Sequence, residues 1–111
     1  MSILTIKNCL DPVLRKKCDR IRNINGDLFA LSQDMIETMF DAPGSGLAAN
    51  QVGVPSRLIV VDLGIGTDQH KPVVIVNPEI TAVEGEMIGE EGCLSIPDIF
   101  AAIKRSLRVE V

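Results

Sequence analysis

The chain has 111 residues, of which 46% are hydrophobic and 23% charged, and it carries a net charge of −4. That length suits one domain, residues 1–111, able to bury roughly two-thirds of its unfolded surface. The acidic balance argues against a general nucleic-acid binder, and no run reaches the ~18 apolar residues of a membrane span, so nucleic acid and membrane are not expected as direct partners.

The N-terminal stretch MSILTIKNCLDPVLRKKC lacks a basic region followed by an uninterrupted apolar one, so it does not read as a signal peptide. Cys9, Cys18 and Cys93 show no paired spacing, which fits free thiols in a reducing compartment and a cytoplasmic location. Asp11-Pro12 can open a short helical turn, with Asp11 as its cap. The basic run Arg15, Lys16, Lys17 reads as a solvated face. Leu28, Leu31, Met35 and Met39 then recur at spacings of three and four, with Ile36 and Phe40 beside them. Ser32, Gln33, Asp34, Glu37 and Thr38 largely share the opposite face. This predicts an amphipathic helix of about 14 residues with Asp27 as N-cap, ended by Asp41-Ala42-Pro43-Gly44. Beyond it come short strands: 58–61 and 72–78, with weaker ones at 80–83 and 108–111. Residues 64–70 read as a loop, and the lone histidine in it, His70, as exposed and unrelated to any site. One helix followed by several short strands predicts an α+β fold with a mostly antiparallel sheet.

Two stretches carry chemistry. The first is GSGLAANQVG at 44–53. Gly44 and Gly46 flank Ser45 in a Cβ-poor segment that lets another group approach the backbone. Gln51 is the one long polar side chain in this small-residue setting. Facing a cleft, its NH2 would stabilise a developing oxyanion; otherwise the stretch is a glycine-rich turn with Gln51 on the surface. Gly44-x-Gly46-x-x-Ala49 also matches a loose dinucleotide fingerprint. That motif needs a strand before it and a helix after it, and here the order is wrong.

The second stretch is Glu90-Glu91-Gly92-Cys93-Leu94-Ser95. A free cysteine is most often a core residue. The other reading is a thiolate ligand for a borderline-soft divalent metal. Catalytic sites of that kind use three protein ligands, and neither His70 nor the pair Cys9 and Cys18 has a spacing that completes one.

Taken together, the two stretches resemble the first two signature motifs of peptide deformylases, G-φ-G-φ-A-A-x-Q and E-G-C-φ-S. Asp11-Pro12, the amphipathic helix, Val52-Gly53 before an apolar strand, and Asn77-Pro78 agree as well. The resemblance implies a peptide deformylase-like fold and a metal-dependent hydrolase that removes the formyl group from N-formylmethionyl peptides. It makes Cys93 the metal ligand, for Fe(II) with Ni, Co or Zn able to substitute. Gln51 and the backbone N–H of Leu94 become the oxyanion donors. Gly44, Ser45 and Gly46 become the substrate-binding edge, and Glu91 a support behind the ligands. The ribosome becomes a possible partner.

Three positions depart from the family pattern: Ser45 where an aliphatic residue is usual, Gly89 before the second motif, and Phe100 where some members carry arginine, while Arg105 is retained. The family's third motif, a helix with H-E-x-x-H, does not occur before Val111. Three readings follow: part of a longer active deformylase, a short inactive relative that binds a peptide or partner, or half of a split enzyme. An apolar face left bare by the absent helix would favour self-association.

Overall fold

The computed structural model describes residues 2–111. Its first regular element is a 3-10 turn, Pro12–Arg15, capped as expected by Asp11, whose carboxylate accepts from the Val13 N–H at 3.0 Å. The amphipathic helix follows as α1, Gly26–Asp41. Its cap is Asn25, not Asp27. The Asn25 side chain accepts from the Leu28 N–H at 3.0 Å, and Asp27 falls in the first turn, where its charge complements the helix dipole. Two residues expected on the solvent face, Ser32 and Thr38, are buried. Each hydroxyl donates to a carbonyl one turn back, Ser32 to Phe29 and Thr38 to Asp34, both at 2.7 Å. Thr38 also accepts from the Leu4 N–H at 2.8 Å, which ties the N-terminal segment to the helix.

The strands are β1 (Gly46–Ala48), β2 (Leu58–Asp62), β3 (Pro72–Val76), β4 (Ala82–Glu84), β5 (Met87–Cys93), β6 (Ile96–Arg105) and β7 (Arg108–Glu110). They pair antiparallel in three sheets, β1-β2-β3, β4-β7 and β5-β6. The expected α+β class and antiparallel pairing hold. β4 starts two residues later than the stretch at 80–83 implied. β1, β5 and β6 were not expected. Gly89, Gly92 and Pro97 interrupt β5 and β6 with residues that disfavour strands. The pairing absorbs them: Cys93 faces Ile96, Gly92 faces Phe100, and residues 97–99 bulge between.

The core lies where α1 covers β1 and β2. Met35 and Met39 pack with Leu47, Ala49, Leu58 and Val60, all buried. Full burial of such a side chain is worth about 1.5–3 kcal/mol. Leu58, Val60 and Asp62 alternate onto the buried face of β2. Among the described residues, Leu94 alone joins this core from the β5–β6 hairpin. No described helix is long and apolar enough to cross a membrane.

Asp62 ends that buried row with a carboxylate that is 1% exposed. It accepts from the N–H groups of Gly64 (2.9 Å) and Lys71 (2.8 Å), and His70 Nδ1 lies 2.7 Å from its other oxygen. His70 is exposed, as expected, but it is not idle. It closes the 63–71 loop onto Asp62, and its ring tilts against Phe40 at a centroid distance of 4.6 Å.

The hydrogen bond from His70, then that from the Lys71 N–H, holds the Asp62 carboxyl below the ordinary carboxylate range against the opposing effect of burial. A carboxyl with a depressed folded pKa stabilises the protein above its unfolded pKa of about 3.9. That contribution is lost as pH falls through the folded value. The urea midpoint is therefore expected to drop below about pH 4, and His70→Ala to lower it more at pH 7 than at pH 2. Equal losses at both pH values would count against this coupling.

Candidate active site

β1 is the edge of its sheet. The Ser45 carbonyl accepts from the Asp62 N–H at 2.9 Å, and Gly46 faces Val61 in the register. Bonds in an antiparallel pair fall on alternate residues. Leu47 therefore bonds inward to β2, while Gly46 and Ala48 turn their N–H and C=O groups to the open edge. The 3-10 turn Ala49–Val52 then folds Gln51 back over that edge. Gln51 Oε1 accepts from the Ala48 N–H at 3.0 Å. This fixes the carboxamide with its nitrogen end toward the hairpin. Nε2 lies 3.2 Å from Ser95 Oγ and 3.7 Å from Cys93 Sγ.

Cys93 is an exposed free thiol at the end of β5, just before the turn at Leu94-Ser95. The cleft between hairpin and edge strand has a volume of about 590 Å³, and Gly44, Ser45, Gly46, Gln51, Cys93 and Leu94 all line it. Two segments far apart in sequence, 44–51 and 93–94, thus line one cleft. A Cβ at Gly44 would stand 2.8 Å from Leu94 Cδ1, so glycine there admits the hairpin tip to the core.

Glu91 is not in that lining. Its carboxylate takes two hydrogen bonds from Arg105, Nη2 at 2.8 Å and Nε at 3.0 Å, across the β5–β6 ladder. Arg105 holds the Glu91 carboxyl below the ordinary carboxylate range, and Glu91 raises the guanidinium in return. These bonds brace the strand that carries Cys93 and do not reach Gln51 or the thiol.

The three departures also have places. Ser45 is exposed on the cleft wall, and a Cβ at Gly89 would meet nothing within 4 Å. Phe100 lines the cleft, with its ring 2.8 Å from where a Gly92 Cβ would stand. Ser95 had no role assigned from the sequence. It is 3% exposed, and its hydroxyl meets Gln51. Its place inside E-G-C-L-S was the available signal.

Among the described residues, no three His, Cys, Asp or Glu side chains are grouped to hold a metal ion. Cys93 offers one soft donor facing the cleft, and His70 is engaged with Asp62. The donors present fit one position of a thiolate–histidine site and do not fill it.

The α+β scaffold thus carries an open strand edge that ends at a pinned amide donor and a free thiol, both on one cleft. Comparison with known sequences makes this specific. The family described as polypeptide deformylase matches residues 3–111, and the chain belongs to that family. It is 50% identical over its whole length to a peptide deformylase of Syntrophobacter fumaroxidans and spans 65% of that protein. For a peptide deformylase of Thermodesulfovibrio yellowstonii the identity is 53% and the span 67%. The fold matches the crystal structure of peptide deformylase from Thermotoga maritima with a TM-score of 0.90 at 41% identity, covering 98% of this chain and 71% of that one. It also matches a Synechococcus elongatus peptide deformylase in complex with actinonin, with a TM-score of 0.89 at 38% identity, covering 96% of this chain and 58% of that one.

Proposed function

We propose that the cleft takes the N-formylmethionyl end of a newly made polypeptide in the cytoplasm and that the formyl amide is hydrolysed there. Water adds across the formyl C–N bond, formate leaves, and the proton goes to the freed amine. The observation that carries this reading is the pinned Gln51 amide, 3.7 Å from the Cys93 thiol at the end of the open β1 edge. The peptide lies along that edge, where the outward N–H and C=O of Gly46 give it strand-like hydrogen bonds. Gln51 Nε2 and the Leu94 N–H receive the negative charge that develops on the formyl oxygen. Cys93 supplies one ligand to a divalent metal, Fe(II) or a substitute, and Glu91 with Arg105 keeps its strand rigid. A bound metal would supply Lewis-acid polarisation and an activated water. Its other ligands must come from outside residues 2–111. The test is formate release from a formyl-methionyl tripeptide with added Fe(II) or Ni(II), with and without a histidine-bearing segment supplied in trans. Release that does not change on Cys93→Ala would sink the reading.

A second reading rests on the single ligand: a relative that binds a peptide or partner through the same cleft without turning it over. Tight binding of the formyl peptide with no formate release under any metal would favour it.

The strands beyond the core leave apolar side chains bare. Ile80, Val83, Met87, Ile88, Phe100 and Leu107 are all exposed. A chain of these 111 residues is expected to self-associate, its mean mass in sedimentation rising above 12.0 kDa with concentration. A constant monomer mass across a hundredfold concentration range would contradict this.

A further inference from the structure

We infer that Ser95 is a positioning residue for this reaction, clamping the Gln51 carboxamide so that one of its N–H groups is aimed at the reacting carbonyl. The inference rests on Gln51 acting as the oxyanion donor in the proposed function. A primary amide carries two N–H groups, and only one can serve the substrate. Gln51 is held at three points. Its backbone carbonyl accepts from the Lys7 N–H at 2.6 Å, its Oε1 accepts from the Ala48 N–H at 3.0 Å, and its Nε2 reaches Ser95 Oγ at 3.2 Å. Without the third point the amide pivots about its oxygen. With it, one N–H is committed to Ser95 and the other is directed across the cleft wall at Cys93 Sγ, 3.7 Å away. A thiol is a weak acceptor, so a carbonyl oxygen entering the cleft can take that second N–H in its place.

Ser95 can act as an anchor because it is itself fixed. It is 3% exposed in the hairpin turn, and its carbonyl accepts from the Cys9 N–H at 2.8 Å. A buried hydroxyl with a designated partner is a rigid acceptor, and no solvent competes for it.

The experiment compares wild type, Ser95→Ala, Ser95→Thr, Gln51→Ala and the double variant Ser95→Ala/Gln51→Ala. One readout is the pair of Gln51 side-chain NH2 proton signals in NMR, at a concentration where the chain is monomeric. Ser95→Ala is expected to move both toward the shifts of a solvent-exposed glutamine and to speed their exchange with water, and Ser95→Thr, which keeps the hydroxyl, to preserve them. The other readout is kcat for hydrolysis of a formyl-methionyl peptide, in a form of the enzyme whose metal site is complete. Gln51→Ala is expected to lose about 10²–10³-fold, Ser95→Ala about 10-fold, and the double variant no more than Gln51→Ala alone. Unchanged NH2 signals in Ser95→Ala, or losses that multiply in the double variant, would overturn the clamp. A wild-type enzyme that releases no formate from the peptide would overturn the proposed function and the purpose of the clamp with it, whereas turnover that is indifferent to Ser95→Ala would overturn this inference alone.

Discussion

Gly64→Ala is expected to destabilise the protein by about 3 kcal/mol or more, among the largest effects of any single methyl group in this chain. A Cβ at Gly64 would overlap the backbone carbonyl of Gln69 and come within 3.0 Å of the Lys71 nitrogen. Neither is a side chain that can swing aside. The same two segments supply the N–H groups that Gly64 and Lys71 give to the buried Asp62 carboxylate. Pushing the strands of the loop apart would strip a buried charge of its donors, which is the costlier part of the change. Gly66→Ala is the control. Gly66 has φ +79 but nothing within 4 Å of its Cβ position, so it should cost only about 1 kcal/mol for the left-handed backbone. The check is the urea midpoint of both variants at pH 7. Equal losses would mean the loop is not closed as described.

Gln51→Ala is expected to lower kcat for formyl-peptide hydrolysis by about 10²–10³, with KM changed far less, in a form of the enzyme whose metal site is complete. In the proposed function the donor meets charge that is present chiefly in the transition state, so its loss should fall on turnover. Gln51→Glu is the sharper variant. It keeps the size and the oxygen that accepts from Ala48, and it replaces the donor with a second acceptor aimed at Cys93. It should be at least as inactive as Gln51→Ala. A Gln51→Glu enzyme with near wild-type kcat would remove Gln51 from the reaction.

Periodic burial made part of this architecture readable in advance. α1 and β2 each present a repeating apolar row, and Asp11-Pro12 announces its own turn. The cap of α1 was misplaced by two residues because Asn25 and Asp27 are both good caps, and only the hydrogen bond to Leu28 separates them. Ser32 and Thr38 looked like solvent residues because a hydroxyl satisfied by its own helix leaves no mark in a hydropathy pattern. The β5–β6 hairpin was missed because its glycines and Pro97 spoil local strand preference, and pairing across the ladder restores it. The meeting of 44–51 with 93–95 was legible from the two motifs jointly. The bond from Gln51 to Ser95 spans 44 positions and has no local signature. His70 reads as exposed and unrelated to any site for a similar reason: nothing near it in the chain marks Asp62 as its partner.

The segment before Leu10 stitches the two halves of the cleft together. The Lys7 N–H goes to the carbonyl of Gln51 on one side, and the Cys9 N–H goes to the carbonyl of Ser95 on the other. For anyone handling this protein, the amino end is therefore a working part and not a convenient place for modification. A purification tag that tugs on residues 2–9, or a protease that trims them, would slacken the donor and the thiol-bearing turn at once. Preparations compared for activity should first be compared for their exact starting residue.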